Sequence, residues 1–174
     1  HQRGMQSTLE NQAGFTMATW QHRPESYGYV RARSQDPFKH PEIQPNYLAA
    51  DTDQQVILAA IKICRKLAQT EALKPFVVEE TFPSVACQND NDLLNSAREI
   101  GQSIYHLMGT CRMGGRDDKT AVVDAELRVH GIKNLRVIDA SIMPTMVSAN
   151  LNAAVMMIAE KGADMVLGKS EAKA

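Results

Sequence analysis

The sequence predicts an α+β fold, a mixed or antiparallel sheet with flanking helices. Three observations predict it. Read from hydrophobic periodicity, the elements run strands, helix, strand, helix, strands, helix, without the regular β-α-β alternation of a doubly wound sheet. No Gly-x-Gly-x-x-Gly string occurs, so no dinucleotide-binding fingerprint follows any predicted strand. With 44% hydrophobic residues in 174, the chain can bury a real core as one domain, or as one large piece of a bigger one.

Residues 1–12 are polar and are expected to be poorly ordered by themselves. Residues 13–20 mix aromatic, Thr and Met residues and are compatible with a strand. Residues 27–34 alternate, with Tyr27, Tyr29, Arg31 and Arg33 on one face and Gly28, Val30 and Ala32 on the other. That pattern predicts a strand with a polar side. Pro37, Pro41 and Pro45 punctuate the next stretch, and residues 42–48 read as extended because residues before proline avoid the helical region. Thr52 opens a helix, with Thr52 and Gln55 spaced as a capping box. Val56, Ala60, Ile61, Cys64, Leu67 and Ala68 then recur at helical spacing, and Pro75 ends any continuation. Residues 76–82 are β-like. Asp90 or Asn91 caps a second helix to about Gly101, with Leu93, Leu94, Ala97 and Ile100 inward. Residues 121–132 predict a strand, a turn near 124–126 and another strand. Residues 134–139 predict a strand buried on both faces, and residues 150–167 the final helix, with Met156 and Met157 most simply in its core.

Composition excludes several classes. The net charge is −1 and the arginines are scattered, so no nucleic-acid footprint exists. Cys64, Cys87 and Cys111 cannot all pair and form no Cys-x-x-Cys, which argues against a disulfide framework or zinc ribbon and for a reducing compartment. Residues 140–159 are uncharged and long enough to span a bilayer, but Pro144, Asn150 and Asn152 argue against a transmembrane segment. No signal peptide is visible, and the opening at His1 rather than methionine reads as a boundary or cleavage point. The expected location is cytoplasmic or peripheral to the inner membrane.

Two stretches could carry chemistry. His106 sits between elements in a segment punctuated by Gly109, Gly114 and Gly115, where backbone can approach a ligand closely. An imidazole there suits proton abstraction from an alcohol. Asn150 lies at a helix start, where it competes with Ser148 and Asn152 for the N-cap. Helix N-termini also attract anions and electron-rich ligand atoms. Asp139, directly after an apolar strand, is either a turn former or a ligand-facing acceptor. The string GTCRMG at 109–114 is followed by Gly115 rather than Lys, so it is not a P-loop. His106, Cys111 and His130 match no zinc spacing, so no metal is expected.

Several strings together resemble the C-terminal part of the glucose–methanol–choline (GMC) oxidoreductases. They are SQDP at 34–37 with PEIQPNYL at 41–48, Tyr105-His106 with GTCRMG at 109–114, and VVD at 122–124 with LRVHG at 127–131. LRVIDASIMP at 135–144, NLNA at 150–153 and MIAEK at 157–161 complete the set. The resemblance implies FAD-dependent oxidation of a small-molecule alcohol of choline type. It places His106 on the family's active-site histidine and Asn150 on the position that carries asparagine or a second histidine. It puts Asp139 and Ala140 on a cofactor-contacting turn, and Asn152 and Ala153 beside the flavin ring. One departure is Leu107, where the family often has proline.

The implied organisation is a substrate-binding domain over residues 1–133, a returning strand, loop and helix of the FAD-binding domain over 134–168, and a tail over 169–174. The N-terminal FAD-binding part is absent from these residues and becomes an expected partner. The chain alone is therefore expected to bind little FAD, to be inactive, and to self-associate through exposed apolar surface. Competing readings are a non-redox binding module and a subunit completed by a separate flavin-binding chain.

Overall fold

The computed structural model describes residues 13–169. Residues 1–12 and 170–174, including the predicted poorly ordered start and nearly all of the tail, lie outside the described residues. The elements are β1 (Tyr29–Arg31), β2 (Glu42–Gln44), α1 (Asp51–Ala68), a 3-10 turn at Lys74–Phe76, α2 (Asp90–Ile100), a 3-10 turn at Ala140–Ile142, and α3 (Asn152–Leu167).

β1 and β2 pair antiparallel, with Tyr29 opposite Gln44, Val30 opposite Ile43 and Arg31 opposite Glu42. The predicted polar face forms. The Arg31 guanidinium lies 4.2 Å from the Tyr29 ring centroid, and the Tyr29 hydroxyl donates to Glu42 Oε1 at 2.8 Å. The extended reading of residues 42–48 holds only to Gln44. Asn46 and Leu48 have positive φ, because the chain must turn into α1, and Asn46 Nδ2 steadies that turn on the Tyr27 carbonyl at 2.9 Å.

α1 packs on α2, and Lys62 reaches Asp90 in the first turn of α2 at 2.6 Å. Leu93 and Leu94 are the buried residues of α2. Its cap is Asn89, one residue earlier than expected, whose Oδ1 accepts from the Asp92 amide at 2.9 Å. The predicted capping box of α1 does not form. Its N-cap is Ala50, without a side-chain bond. Gln54 Nε2 instead donates to the Leu48 carbonyl at 2.9 Å. Leu67 and Ile100, predicted inward, are exposed.

Most of the buried core lies in the second half. Val123, Leu127, Ile142, Met143, Leu151 and Ile158 form one cluster, joined by half-buried Met108, Met113, Val137, Ile138 and others. Here the predicted strands are corrected. Residues 13–20, 76–82 and 134–139 form no strand, and residues 121–132 form only isolated bridges, Val123 to Val129, Met113 to Val123 and Arg128 to Arg136. Residues 135–138 are half-buried to exposed, not buried on both faces, and a single bridge joins Arg128 to Arg136. A strand needs a partner along its length. Among the described residues this segment's backbone bonds to the hairpin are Val129 N to Leu135 O and Val137 N to Leu127 O, with Arg136 Nε adding a side-chain bond to the Glu126 carbonyl at 3.0 Å. Val78 and Phe76, in the predicted 76–82 strand, stand largely in solvent. Met156 and Met157 are corrected too: they are 61% and 60% exposed, outside the core.

Candidate active site

α2 ends at Ile100, and the chain then runs without regular structure to the glycine-punctuated segment. Tyr105 takes φ 62°, a left-handed conformation uncommon for a bulky residue and typical of constrained functional loops. Its amide donates to Ser103 Oγ at 3.0 Å. His106 follows, half-buried, with no hydrogen bond to another described residue. Leu107 is exposed, while Met108 packs on the core cluster.

From Gly109 the segment is held by backbone. The amides of Gly109, Cys111 and Met113 donate to the carbonyls of Ala140, Ser141 and Ile142 at 3.4, 2.9 and 2.8 Å. The first bond is long and the other two are normal. Gly109 adopts φ +84°, and a Cβ there would meet the Met143 carbonyl oxygen at 3.4 Å. The backbone needs glycine for the angle more than for the space. This ladder joins the histidine loop to the Asp139–Ile142 turn, two stretches separated by an entire hairpin.

Asp139 works as the turn former. Its Oδ1 accepts from the Ser141 amide at 2.7 Å and caps the 3-10 turn at Ala140–Ile142. Its other oxygen has no partner among the described residues, and the side chain is exposed. Ala140, the next residue, is half-buried. After Met143 the chain passes through a largely exposed loop, residues 144–150, and enters α3 beside buried Leu151.

The capping question at α3 is answered against all three candidates. The N-cap is Leu151, in helical conformation and without a side-chain bond. Ser148 instead accepts a hydrogen bond from Arg23 Nε. Asn152 Nδ2 lies 3.9 Å from Met156 Sδ, a weak contact, and Asn150 is exposed without a hydrogen bond among the described residues. The first amides of α3 are therefore uncapped, beside exposed Asn152 and Ala153. His106 and Asn150 are not hydrogen-bonded to each other; they rise on two loops from the core cluster that holds Met108 and Leu151.

Arg112, inside the histidine motif, is engaged elsewhere. Its Nη1 bonds Asp118 Oδ2 at 2.7 Å and also reaches Thr120 Oγ1. Hydrogen bonds from Thr120, with the charge of Arg112, hold the Asp118 carboxyl below the ordinary carboxylate range. His130 contacts the Gly114 carbonyl at 3.1 Å and serves the hairpin.

Sequence periodicity misses the stretch before β1. Trp20 stacks on His22, with centroids 5.7 Å apart and planes 19° apart, and Arg23 next to them reaches Ser148. Nothing in local periodicity signals a contact across 125 residues. Among the described residues no group of three or more His, Cys, Asp or Glu could hold a metal, and the three cysteines are free. No described helix is long and apolar enough to cross a membrane.

An uncapped helix start, a capped turn and a half-buried histidine all rise from one core. A family model described as GMC oxidoreductase matches residues 24–159, and the chain belongs to that family, in its C-terminal region. It is 47% identical to human mitochondrial choline dehydrogenase over 147 residues, covering 84% of this chain and 25% of that protein. It is 44% identical over 163 residues to the oxygen-dependent choline dehydrogenase of Escherichia coli O45:K1 (strain S88), covering 94% of this chain and 29% of that protein. A solved FAD-dependent oxidoreductase from Chaetomium thermophilum superposes with a TM-score of 0.76 at 27% identity, covering 84% of this chain and 25% of that one. The chain thus spans between a quarter and a third of the length of these relatives.

Proposed function

We propose that this chain is the C-terminal portion of an FAD-dependent oxidoreductase that oxidises the CH–OH group of a choline-type alcohol. The observation that carries the reading is the backbone ladder that locks the His106 loop onto the Asp139–Ile142 turn. It gives a potential base and a cofactor-contacting turn one shared frame. Residues 1–133 are proposed as the substrate-binding domain, residues 134–168 as the segment that returns to the FAD-binding domain, and 169–174 as a tail. An N-terminal FAD-binding part of the same or another chain completes the site, at a cytoplasmic or membrane-peripheral location.

The residues present fit the flavin. The uncapped amides at the start of α3 form a donor set suited to an electron-rich ring edge, and the exposed side chains of Asn152 and Ala153 leave room for it. Asp139 and Ala140 would support it from the turn. Bound FAD supplies the two-electron acceptor for alcohol oxidation. His106 takes the alcohol proton at an imidazole nitrogen, and its lack of a partner among the described residues leaves that nitrogen available. Asn150 donates to the developing alkoxide oxygen, which lowers the cost of the charge before oxidation is complete. The choline dehydrogenases among the relatives support the substrate class.

The test is His106→Ala in the complete enzyme. Turnover should fall roughly 10²- to 10⁴-fold, the usual range for a positioned acid–base group, with flavin absorbance unchanged. A loss under about tenfold, with the chemical step rate-limiting, removes His106 from proton handling.

A further inference from the structure

The buried side chain of α1 is not apolar. Asp53, in the first turn, is 2% exposed, while every apolar residue of that helix stays half-buried or exposed. A carboxylate sealed from water is costly unless hydrogen bonds replace its hydration. Here they do. The Glu25 amide donates to Oδ1 at 3.0 Å and Oδ2 at 3.2 Å, the Ser26 amide to Oδ2 at 2.9 Å, and the Ser26 hydroxyl to Oδ2 at 2.5 Å. Burial alone would push this carboxyl up; the bonds from Ser26 and Glu25 outweigh it and leave it below its ordinary value.

Ser26 is locked in turn. Its oxygen accepts from the Ala49 and Ala50 amides, both at 3.0 Å. Its single proton goes to Asp53 and its two lone pairs to those amides, so the hydroxyl has no freedom left. The backbone at 25–26 is therefore clamped onto the start of α1. Three residues upstream, Arg23 Nε donates to Ser148 Oγ, two residues before Asn150, in a loop with no regular structure. Trp20 and His22 stack on each other in the same clamped segment.

We propose that Asp53 is a positioning residue that acts through Arg23: it fixes residues 20–26 so that Arg23 holds the 144–150 loop, and with it Asn150 and the start of α3. This rests on the proposed alcohol oxidation only where turnover is read. The clamp itself is read without it.

The experiment compares Asp53→Asn, Arg23→Ala and the double variant in the complete enzyme, by hydrogen exchange and by steady-state kinetics. Asp53→Asn should speed amide exchange at residues 25–26 and in the first turn of α3, where the Val155 amide bonds Leu151, by about tenfold, the order for a lost bond to a charged group. Arg23→Ala should speed exchange at the α3 start alone and leave 25–26 protected. Turnover should fall in both with flavin content unchanged, and the double variant should be no slower than the worse single one. Unchanged exchange at the α3 start in Arg23→Ala overturns the proposal, as do strictly additive effects. Exchange that rises evenly over the whole chain in Asp53→Asn marks a purely structural role and also overturns it. Should Asp53→Asn fail to fold, Arg23→Ala, at an exposed site, still decides through exchange at the α3 start. If no variant and no parent turns over a choline-type alcohol, the proposed function fails while the exchange pattern still decides the clamp.

Discussion

At Gly162, α3 packs directly against Ile138, in the segment that leads to the Asp139 turn. A Cβ built there would lie 2.4 Å from Ile138 Cγ2, 3.0 Å from Cδ1 and 3.3 Å from Cγ1. Carbon atoms rest at about 3.5–4.0 Å, so the nearest overlap exceeds about 1 Å. Cγ2 hangs directly on a β-branched centre and cannot swing aside within one rotamer. Gly162→Ala should then cost about 1–3 kcal/mol of overpacking. Against this stands a helix-propensity gain of about 1 kcal/mol for alanine over glycine. The net is a loss of about 0–2 kcal/mol. In an Ile138→Ala background all three clashing atoms are gone, and the same substitution should stabilise by about 1 kcal/mol. The expected signature is thus a difference between backgrounds of about 1–3 kcal/mol, with a change of sign. Urea unfolding of the four forms, at constant m-value, measures it. If Gly162→Ala stabilises the parent as much as it stabilises Ile138→Ala, the close packing of α3 on Ile138 is refuted.

Other outcomes are as specific. Asn89→Ala should lower stability by about 1 kcal/mol, since it removes a formed cap, whereas Thr52→Ala should stay within about 0.5 kcal/mol, since α1 has no side-chain cap; urea midpoints separate the two. Asp53, Asp118 and Asp124 are all held below the ordinary 3.8. The unfolded chain therefore binds protons first, so their contribution is complete above the ordinary value and is lost as pH falls through the lowered ones. Unfolding midpoints should hold down to about pH 4 and decline below it, with a smaller decline in Asp53→Asn; a flat profile to about pH 2 would contradict the lowered values. Met156, Met157, Val166 and Leu167 leave exposed apolar surface on α3, so the chain alone should self-associate, and sedimentation velocity showing a monomer at every concentration would refute that.

The helices are legible in the sequence because their apolar residues repeat locally: Leu93, Leu94 and Ala97 need no distant partner to announce a buried stripe. The turn at Asp139 and the glycine at 109 are legible for the same reason, as each answers a local backbone demand. Residues 135–138 show the limit. Leu135, Val137 and Ile138 have the composition of a buried strand, but a strand is a property of two segments, and composition names only one. Asp53 shows another. Periodicity assigns a carboxylate to the wet side of an amphipathic helix, and only the donors at Glu25 and Ser26 reverse that. Ser148, Asn150 and Asn152 read as a surplus of caps, whereas none of the three caps α3.

The ladder between the His106 loop and the 140–142 turn has a practical side for protein engineering. The hairpin between them leaves one point and returns to it. Exposed residues 115–117 sit at a turn on that excursion, closed by the Asp118 amide on the Gly115 carbonyl at 3.0 Å. Lengthening such a turn costs only about 0.6 kcal/mol per doubling of the loop. A peptide tag or sensor grafted there changes the contour length of the chain without changing where His106 stands. One residue inserted between Ala140 and Ile142 does the reverse: the contour barely changes, and every rung after it meets the wrong carbonyl.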